Sequence, residues 1–236
     1  SDNSNPGALT GFTVVDYYVY FDASCASTGS ELWAHSVLSG STYMLTDSSG
    51  SDSSYPGALS GLISYSDRLY FSMNDGSNGY ELWALGTSNW TTWMVADINP
   101  SGDSDPAENG WEGKLTVMGT RLYFPADDGP TGSINSGYEP WAYETTNGSV
   151  WLVADISSWS SGQSSVPGWH AGFTVVGTRL YFDAEDSGSG NGQQDDRELW
   201  VHETTNDSTW QVADINSNRG ASADAVSFVG NRNDTI

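Results

Sequence analysis

The triplet Glu-x-Trp occurs in this chain at Glu31, Glu81, Glu139 and Glu198, and the residues around it keep step with it. The tryptophans that close the triplets, Trp33, Trp83, Trp141 and Trp200, are spaced by 50, 58 and 59 residues. Upstream of each lies an aromatic pair, Tyr20-Phe21, Tyr70-Phe71, Tyr123-Phe124 and Tyr181-Phe182. Downstream come a second aromatic, Tyr43, Trp93, Trp151 or Trp210, and then Asp47, Asp97, Asp155 or Asp214, each 16 residues beyond its Glu. Length varies only in the loop before the Glu and in the Ser/Pro/Gly stretch between repeats. A chain with such a period folds as copies of one unit, so each local motif has to be read as a property of the unit.

Each repeat divides into four strand-like runs separated by turn residues, in the last copy Phe173 to Val176, Arg179 to Asp183, Glu198 to His202 and Trp210 to Asp214. The 11 Trp and 12 Tyr set against 27 Gly suit many short strands joined by polar turns, not long helices. A four-stranded meander cannot bury both faces of its sheet alone. The expected fold is therefore all-β, a β-propeller-like array of four-stranded antiparallel blades, with an open row of small β-units as the competing layout. The repeats run 1–48, 49–98, 99–156 and 157–215 and together make one propeller domain. Residues 216–236 open a partial fifth, because Ala225, Val226, Ser227, Phe228, Val229 and Gly230 match Gly172 to Gly177. No earlier repeat lacks a first strand, so this segment is expected to pair with another molecule or to lead into further blades.

Charge limits the partners. The chain of 236 residues carries 30 Asp and Glu against 7 Lys and Arg, a formal net charge of −23. Few counterions would be released on meeting nucleic acid, and an anionic membrane would repel this surface, so neither nucleic acid nor direct membrane insertion is expected. One cysteine, Cys25, makes neither an internal disulfide nor a multi-cysteine zinc site. Ser1 to Gly7 read as the start of a processed product or a fragment.

Three sequence blocks carry a resemblance. They are Glu-Leu-Trp at Glu31, Glu81 and Glu198; Gly-Thr-Arg-Leu-Tyr-Phe at Gly119 to Phe124 and Gly177 to Phe182; and Ala-Asp-Ile at Ala96, Ala154 and Ala213. In these the chain resembles, over almost its whole length, secreted bacterial proteins with Glu-Leu-Trp-x-x-Asp-Gly-Thr repeats. The resemblance implies a propeller-like architecture and an extracellular, secreted or cell-surface location, and it supplies no catalytic residue.

The departures from that pattern are informative. Glu144-Thr145-Thr146 and Glu203-Thr204-Thr205 stand where the family has Asp-Gly-Thr, and the sequons Asn147-Gly148-Ser149 and Asn206-Asp207-Ser208 follow. Asn89-Trp90-Thr91 falls at the same phase, and Asn233-Asp234-Thr235 lies in the tail. N-linked glycans are expected on Asn89, Asn147, Asn206 and Asn233, against the competing reading that Asn, Ser and Thr are common turn residues.

Arg68, Arg121 and Arg179 also share one phase and are expected to pair across the sheet with Glu81, Glu139 and Glu198. The longest loop gathers Asp183, Glu185, Asp186, Asp195 and Asp196, hard oxygen donors suited to calcium. Trp90, Trp111, Trp159 and Trp169 fall outside the repeat positions and are candidates for glycan stacking or self-contact.

No nucleophile elbow, zinc-binding helix motif or phosphate-cradling glycine loop occurs, so the expected function is not enzymatic. A structural extracellular glycoprotein, a propeller bead assembling with copies of itself into a fibre or surface layer, is the leading expectation. A carbohydrate-binding, lectin-like adhesin using loop tryptophans, with calcium, is the alternative.

Overall fold

The computed structural model describes residues 3–47, 53–107, 114–129, 137–157, 163–186 and 197–215. Every regular element among them is a strand, and the strands form four sheets of four. The first blade holds β1 (Thr13–Val15), β2 (Tyr18–Cys25), β3 (Gly29–Ser36) and β4 (Thr42–Met44). The second holds β5 (Ile63–Tyr65), β6 (Arg68–Asn74), β7 (Tyr80–Gly86) and β8 (Thr92–Ala96). The third holds β9 (Thr116–Met118), β10 (Arg121–Asp127), β11 (Tyr138–Glu144) and β12 (Val150–Leu152). The fourth holds β13 (Thr174–Val176), β14 (Arg179–Glu185), β15 (Arg197–Glu203) and β16 (Ser208–Ala213). In each blade the spatial order follows the chain order, an antiparallel meander, so the expected blades are present. The segment Ala225 to Gly230, and with it the expected fifth repeat, lies outside the described residues.

Register explains why the two aromatic motifs travel together. In the first, second and fourth blades the Phe of the aromatic pair lies directly opposite the Trp of Glu-x-Trp: Phe21 against Trp33, Phe71 against Trp83 and Phe182 against Trp200. Such cross-strand neighbours share one face and bury each other. The hairpin joining the first two strands is a two-residue turn whose first residue has positive φ, as a type II′ turn requires. Gly119 (φ 62°) and Gly177 (φ 61°) meet that requirement without strain, whereas Asp16 (φ 52°) and Ser66 (φ 58°) hold the same place with a side chain.

The chain comprises two compact units, one built on β1–β8 and one on β9–β16. In each, a blade lays one face against the opposite face of the next. The first unit packs Tyr20, Leu32 and Ala34 against Leu69, Phe71 and Leu85. The second packs Tyr123, Ala142 and Ile156 against Leu180, Phe182 and Trp200. β6 and β10 are each buried at five successive positions, so residues of both faces of these strands are out of solvent.

Candidate functional site

The repeated glutamates do not meet the arginines. Glu31, Glu81 and Glu139 have no solvent exposure, and each carboxyl is ringed by donors from the chain that leaves its blade. Glu139 accepts from the backbone N–H of Ile156 (3.0 Å), Ser157 (3.3 Å) and Ser165 (3.0 Å), with Ser165 Oγ at 2.6 Å. Glu81 accepts from Ile98 N and Ser104 N, with Ser104 Oγ at 2.6 Å. Glu31 has Thr46 Oγ1 at 2.7 Å and Ser54 Oγ at 2.5 Å. Burial pushes Glu81 up to about 7 and Glu139 up to about 8, against these donors, and raises Glu31 as well.

The serine of each pair also reaches forward. The carbonyl of Ser54 accepts from Asn74 N on β6 (3.0 Å), and that of Ser165 accepts from Glu185 N on β14 (2.8 Å). One residue thus ties the third strand of a blade to the second strand of the next. A glycine two residues before each glutamate makes room: a Cβ on Gly29, Gly79 or Gly137 would collide with the passing linker backbone. Nothing in the sequence reading singled out these serines. The available signal was the Ser-x-Pro in every linker, at Ser54, Ser104 and Ser165.

The expected pairing of the arginines with Glu81, Glu139 and Glu198 is therefore corrected. Arg179 faces Glu203, its directly opposed neighbour, at 3.1 Å, while Glu198 lies opposite Ala184. Arg121 pairs with Glu144 at 3.4 Å. The guanidinium groups also cover the second aromatic of their blades: Arg68 over Trp93, Arg121 over Trp151 and Arg179 over Trp210, at 5.5, 5.1 and 5.8 Å. Repeat one has Tyr18 for the arginine and Tyr43 for the tryptophan, so the coupled replacement was visible in the sequence. Arg121 also reaches Asp207 of the fourth blade at 3.2 Å, beside the buried His202, whose Nδ1 meets Thr209 Oγ1 at 2.9 Å. Burial lowers the basicity of that imidazole.

The sequon asparagines Asn89, Asn147 and Asn206 are exposed and sit in the turn between the third and fourth strands, as expected. In each turn the amide oxygen accepts from the N–H two residues on: Thr91 (3.0 Å), Ser149 (2.9 Å) and Ser208 (3.2 Å). Ser39 plays the same part toward Ser41 in repeat one. These Asx and Ser turns account for the phasing of the asparagines independently of any glycan. The bonds engage the oxygen, not the nitrogen that would carry a sugar. Asn233 lies outside the described residues.

The four off-phase tryptophans separate. Trp90, at φ 55°, folds back onto the core with its ring 5.3 Å from Tyr18 and 5.0 Å from Tyr43. Trp90 is thus partly buried against the first unit's core. Trp169 is exposed in the turn before β13. Trp111 and Trp159 lie outside the described residues.

The acidic loop holds its own cation. Arg197, at the start of β15, places one guanidinium nitrogen 2.9 Å from Asp183 and another 2.9 Å from Glu185. Two of the five carboxylates expected to face calcium face an arginine instead. Asp186 ends the described part of the loop, and Asp195 and Asp196 lie outside it. Among the described residues no group of three or more His, Cys, Asp or Glu is placed to hold a metal ion.

Fold and site together define a propeller-class repeat protein whose recurring polar groups lie between its own strands and linkers. Solved structures share the fold. A mutant of puromycin hydrolase complexed with PGG is 13% identical with a TM-score of 0.52, over 86% of this chain and 28% of its own. Puromycin hydrolase itself gives a TM-score of 0.50 at 13% identity and the same coverage. TolB from Acinetobacter baumannii is 14% identical over 80% of this chain and 39% of its own, with a TM-score of 0.42. The chain spans less than a third of the puromycin hydrolase structures, and at these identities the likeness concerns the fold alone. No protein-family model and no curated protein sequence matches the chain.

Proposed function

We propose that this chain is a non-enzymatic structural glycoprotein of the extracellular surface, a propeller-type bead that assembles with copies of itself. The observation that carries this reading is the placement of the recurring ionisable side chains. Glu31, Glu81 and Glu139 are enclosed by linker donors, and Arg121 and Arg179 bridge to carboxylates of the neighbouring strand, so they serve the scaffold in blade after blade. A site repeated in every unit and buried in it supports architecture rather than turnover. The exposure of Asn89, Asn147 and Asn206 supports N-linked glycans on the assembled surface. The packing of Trp90 weighs against a lectin that stacks sugars on loop tryptophans, and a calcium ion at the acidic loop would compete with Arg197.

Sedimentation velocity of the full chain over a range of concentrations, with electron microscopy of the same samples, tests the reading. Species growing beyond the 25.3 kDa monomer are expected. A monomer at every concentration would overturn it.

A further inference from the structure

The second and fourth blades each send one side chain, from the turn between their third and fourth strands, onto the blade before them. Trp90 (φ 55°) and Asp207 (φ 51°) hold the same place in that turn, which is Gly40 (φ 69°) in the first blade and Gly148 (φ 78°) in the third. Trp90 rests on Tyr18 and Tyr43. Asp207 instead reaches Arg121, which covers Trp151, and these two hold the places of Tyr18 and Tyr43. Behind the turn, opposite Thr92 or Thr209, stands Leu85 in the second blade and His202 in the fourth. One joint is thus aromatic and aliphatic in the first unit and ionisable in the second.

Histidine brings to that joint what leucine does not. His202 is 1% exposed, with its ring centre 5.8 Å from that of Tyr123 on β10. Its Nδ1 meets Thr209 Oγ1 at 2.9 Å, whereas the buried Nε2 has no hydrogen-bond partner among the described residues. Asp207 Oδ1 stands 3.9 Å from Nε2, beyond hydrogen-bonding length, and the same oxygen lies 3.2 Å from Arg121. The charged and titratable groups around the imidazole are Asp207 and Glu203 of its own blade and Arg121 and Tyr123 of the third. Arg121 also pairs with Glu144, and Glu203 with Arg179.

We infer that His202 and Asp207 form an acid-sensitive clasp at the joint between the third and fourth blades. The clasp goes beyond the self-assembling reading and does not rest on it. Near neutrality the imidazole is uncharged and Asp207 bridges to Arg121, joining the two blades. In acid Nε2 carries a proton and becomes a donor beside the same carboxylate oxygen, which a movement of about 1 Å brings within reach. The carboxylate is then shared between two cations and drawn toward its own blade, at the expense of the bridge. Burial opposes that protonation and lowers the basicity of the imidazole, because the cation forms out of water. The unfolded chain takes up the proton at the ordinary value of 6.5, and the folded chain resists it. The stabilisation from this group is therefore present above 6.5 and lost as pH falls below it, by up to about tenfold in the unfolding constant per pH unit. Trp90 and Leu85, at the same two places in the first unit, do not titrate.

Proton NMR titration of the three imidazoles in the full chain, made without glycans, tests this together with urea unfolding across the same pH range. His202→Leu, which installs the residue of the second blade, identifies the His202 signal by its loss. Where that variant does not fold, His35→Gln and His170→Gln assign the signal by elimination and the titration alone decides. His202 should titrate below 6.5, lower still in Asp207→Asn, which removes the favourable carboxylate, and higher in Arg121→Met, which removes the competing cation. The unfolding constant of the unaltered chain, divided by that of His202→Leu, should rise severalfold between pH 6.5 and pH 5.5. A His202 that titrates at or above 6.5, a midpoint that either Asp207→Asn or Arg121→Met leaves in place, or a ratio that stays flat in acid overturns the clasp.

Discussion

The hydroxyl of Ser165 lies 2.6 Å from a carboxyl oxygen of the buried Glu139 and 3.4 Å from the carbonyl oxygen of Tyr138. One hydroxyl hydrogen cannot serve two acceptors. With Glu139 protonated, its own hydrogen goes to Ser165 Oγ and the serine hydrogen to Tyr138, and every group is satisfied. Ser104 stands in the same relation to Glu81 and Tyr80, and Ser54 to Glu31 and Ser30. The geometry and the raised affinity for protons agree.

Stability should therefore fall as pH rises. The folded state keeps protons on Glu81 and Glu139 that the unfolded chain releases above its ordinary value of 4.5. The stabilisation is complete below that value and is lost as pH climbs through about 7 and about 8. Each group contributes at most about 1.4 kcal/mol per pH unit. Urea midpoints should be higher at pH 5.5 than at pH 8.5, and the double variant Glu81→Gln/Glu139→Gln should flatten the dependence. An equally steep profile in that variant would assign the effect to the net negative charge.

Gly79→Ala should be much more damaging than Gly119→Ala. Both glycines have positive φ, 80° and 62°, which costs an alanine about 1 kcal/mol. Around Gly119 there is open space, whereas a Cβ on Gly79 would sit 2.9 Å from the backbone of Gly102 and collide with the Asp103 carboxylate. Displacing that linker loosens Ser104 from Glu81, so a loss of about 2–4 kcal/mol is expected by chemical denaturation.

Asn147 separates turn chemistry from glycosylation. Asn147→Asp keeps the acceptor for Ser149 N and removes the glycan attachment point, and unglycosylated protein should keep its stability. Asn147→Ala should lose about 0.5–1 kcal/mol through the turn alone. Glycopeptide mass analysis of natively sourced protein should show occupancy at Asn89, Asn147 and Asn206; bare peptides at all three would leave the Asx turn as the reason for the repeated asparagine.

Arg197→Met should lower stability by about 2 kcal/mol at neutral pH, because it leaves Asp183 and Glu185 partly buried and without their shared counter-charge. A melting temperature unchanged at pH 7 would show that solvent already screens this pair.

The sequence by itself determined the repeat, the four strands of each blade and the turn that carries Asn89, Asn147 and Asn206. Alternation along a strand and punctuation by turn residues are local, and four copies reinforce one another. The partners of the polar residues came only from the tertiary structure. Arg179 was assigned to the correct neighbouring strand but to Glu198, because the register, which puts Glu203 opposite Arg179 and Glu198 opposite Ala184, is not written in the strand itself. Glu81 and Glu139 were expected to face arginines, since nothing along the chain shows a linker serine 23 or 26 residues later returning to meet them. The exposure of Leu199 was equally hidden: Leu199 and Leu32 are the same residue in the same motif, and burial depends on what lies against them. Strand patterns follow from short-range sterics and periodicity, whereas hydrogen-bond partners and exposure depend on register and on the path of a linker of variable length.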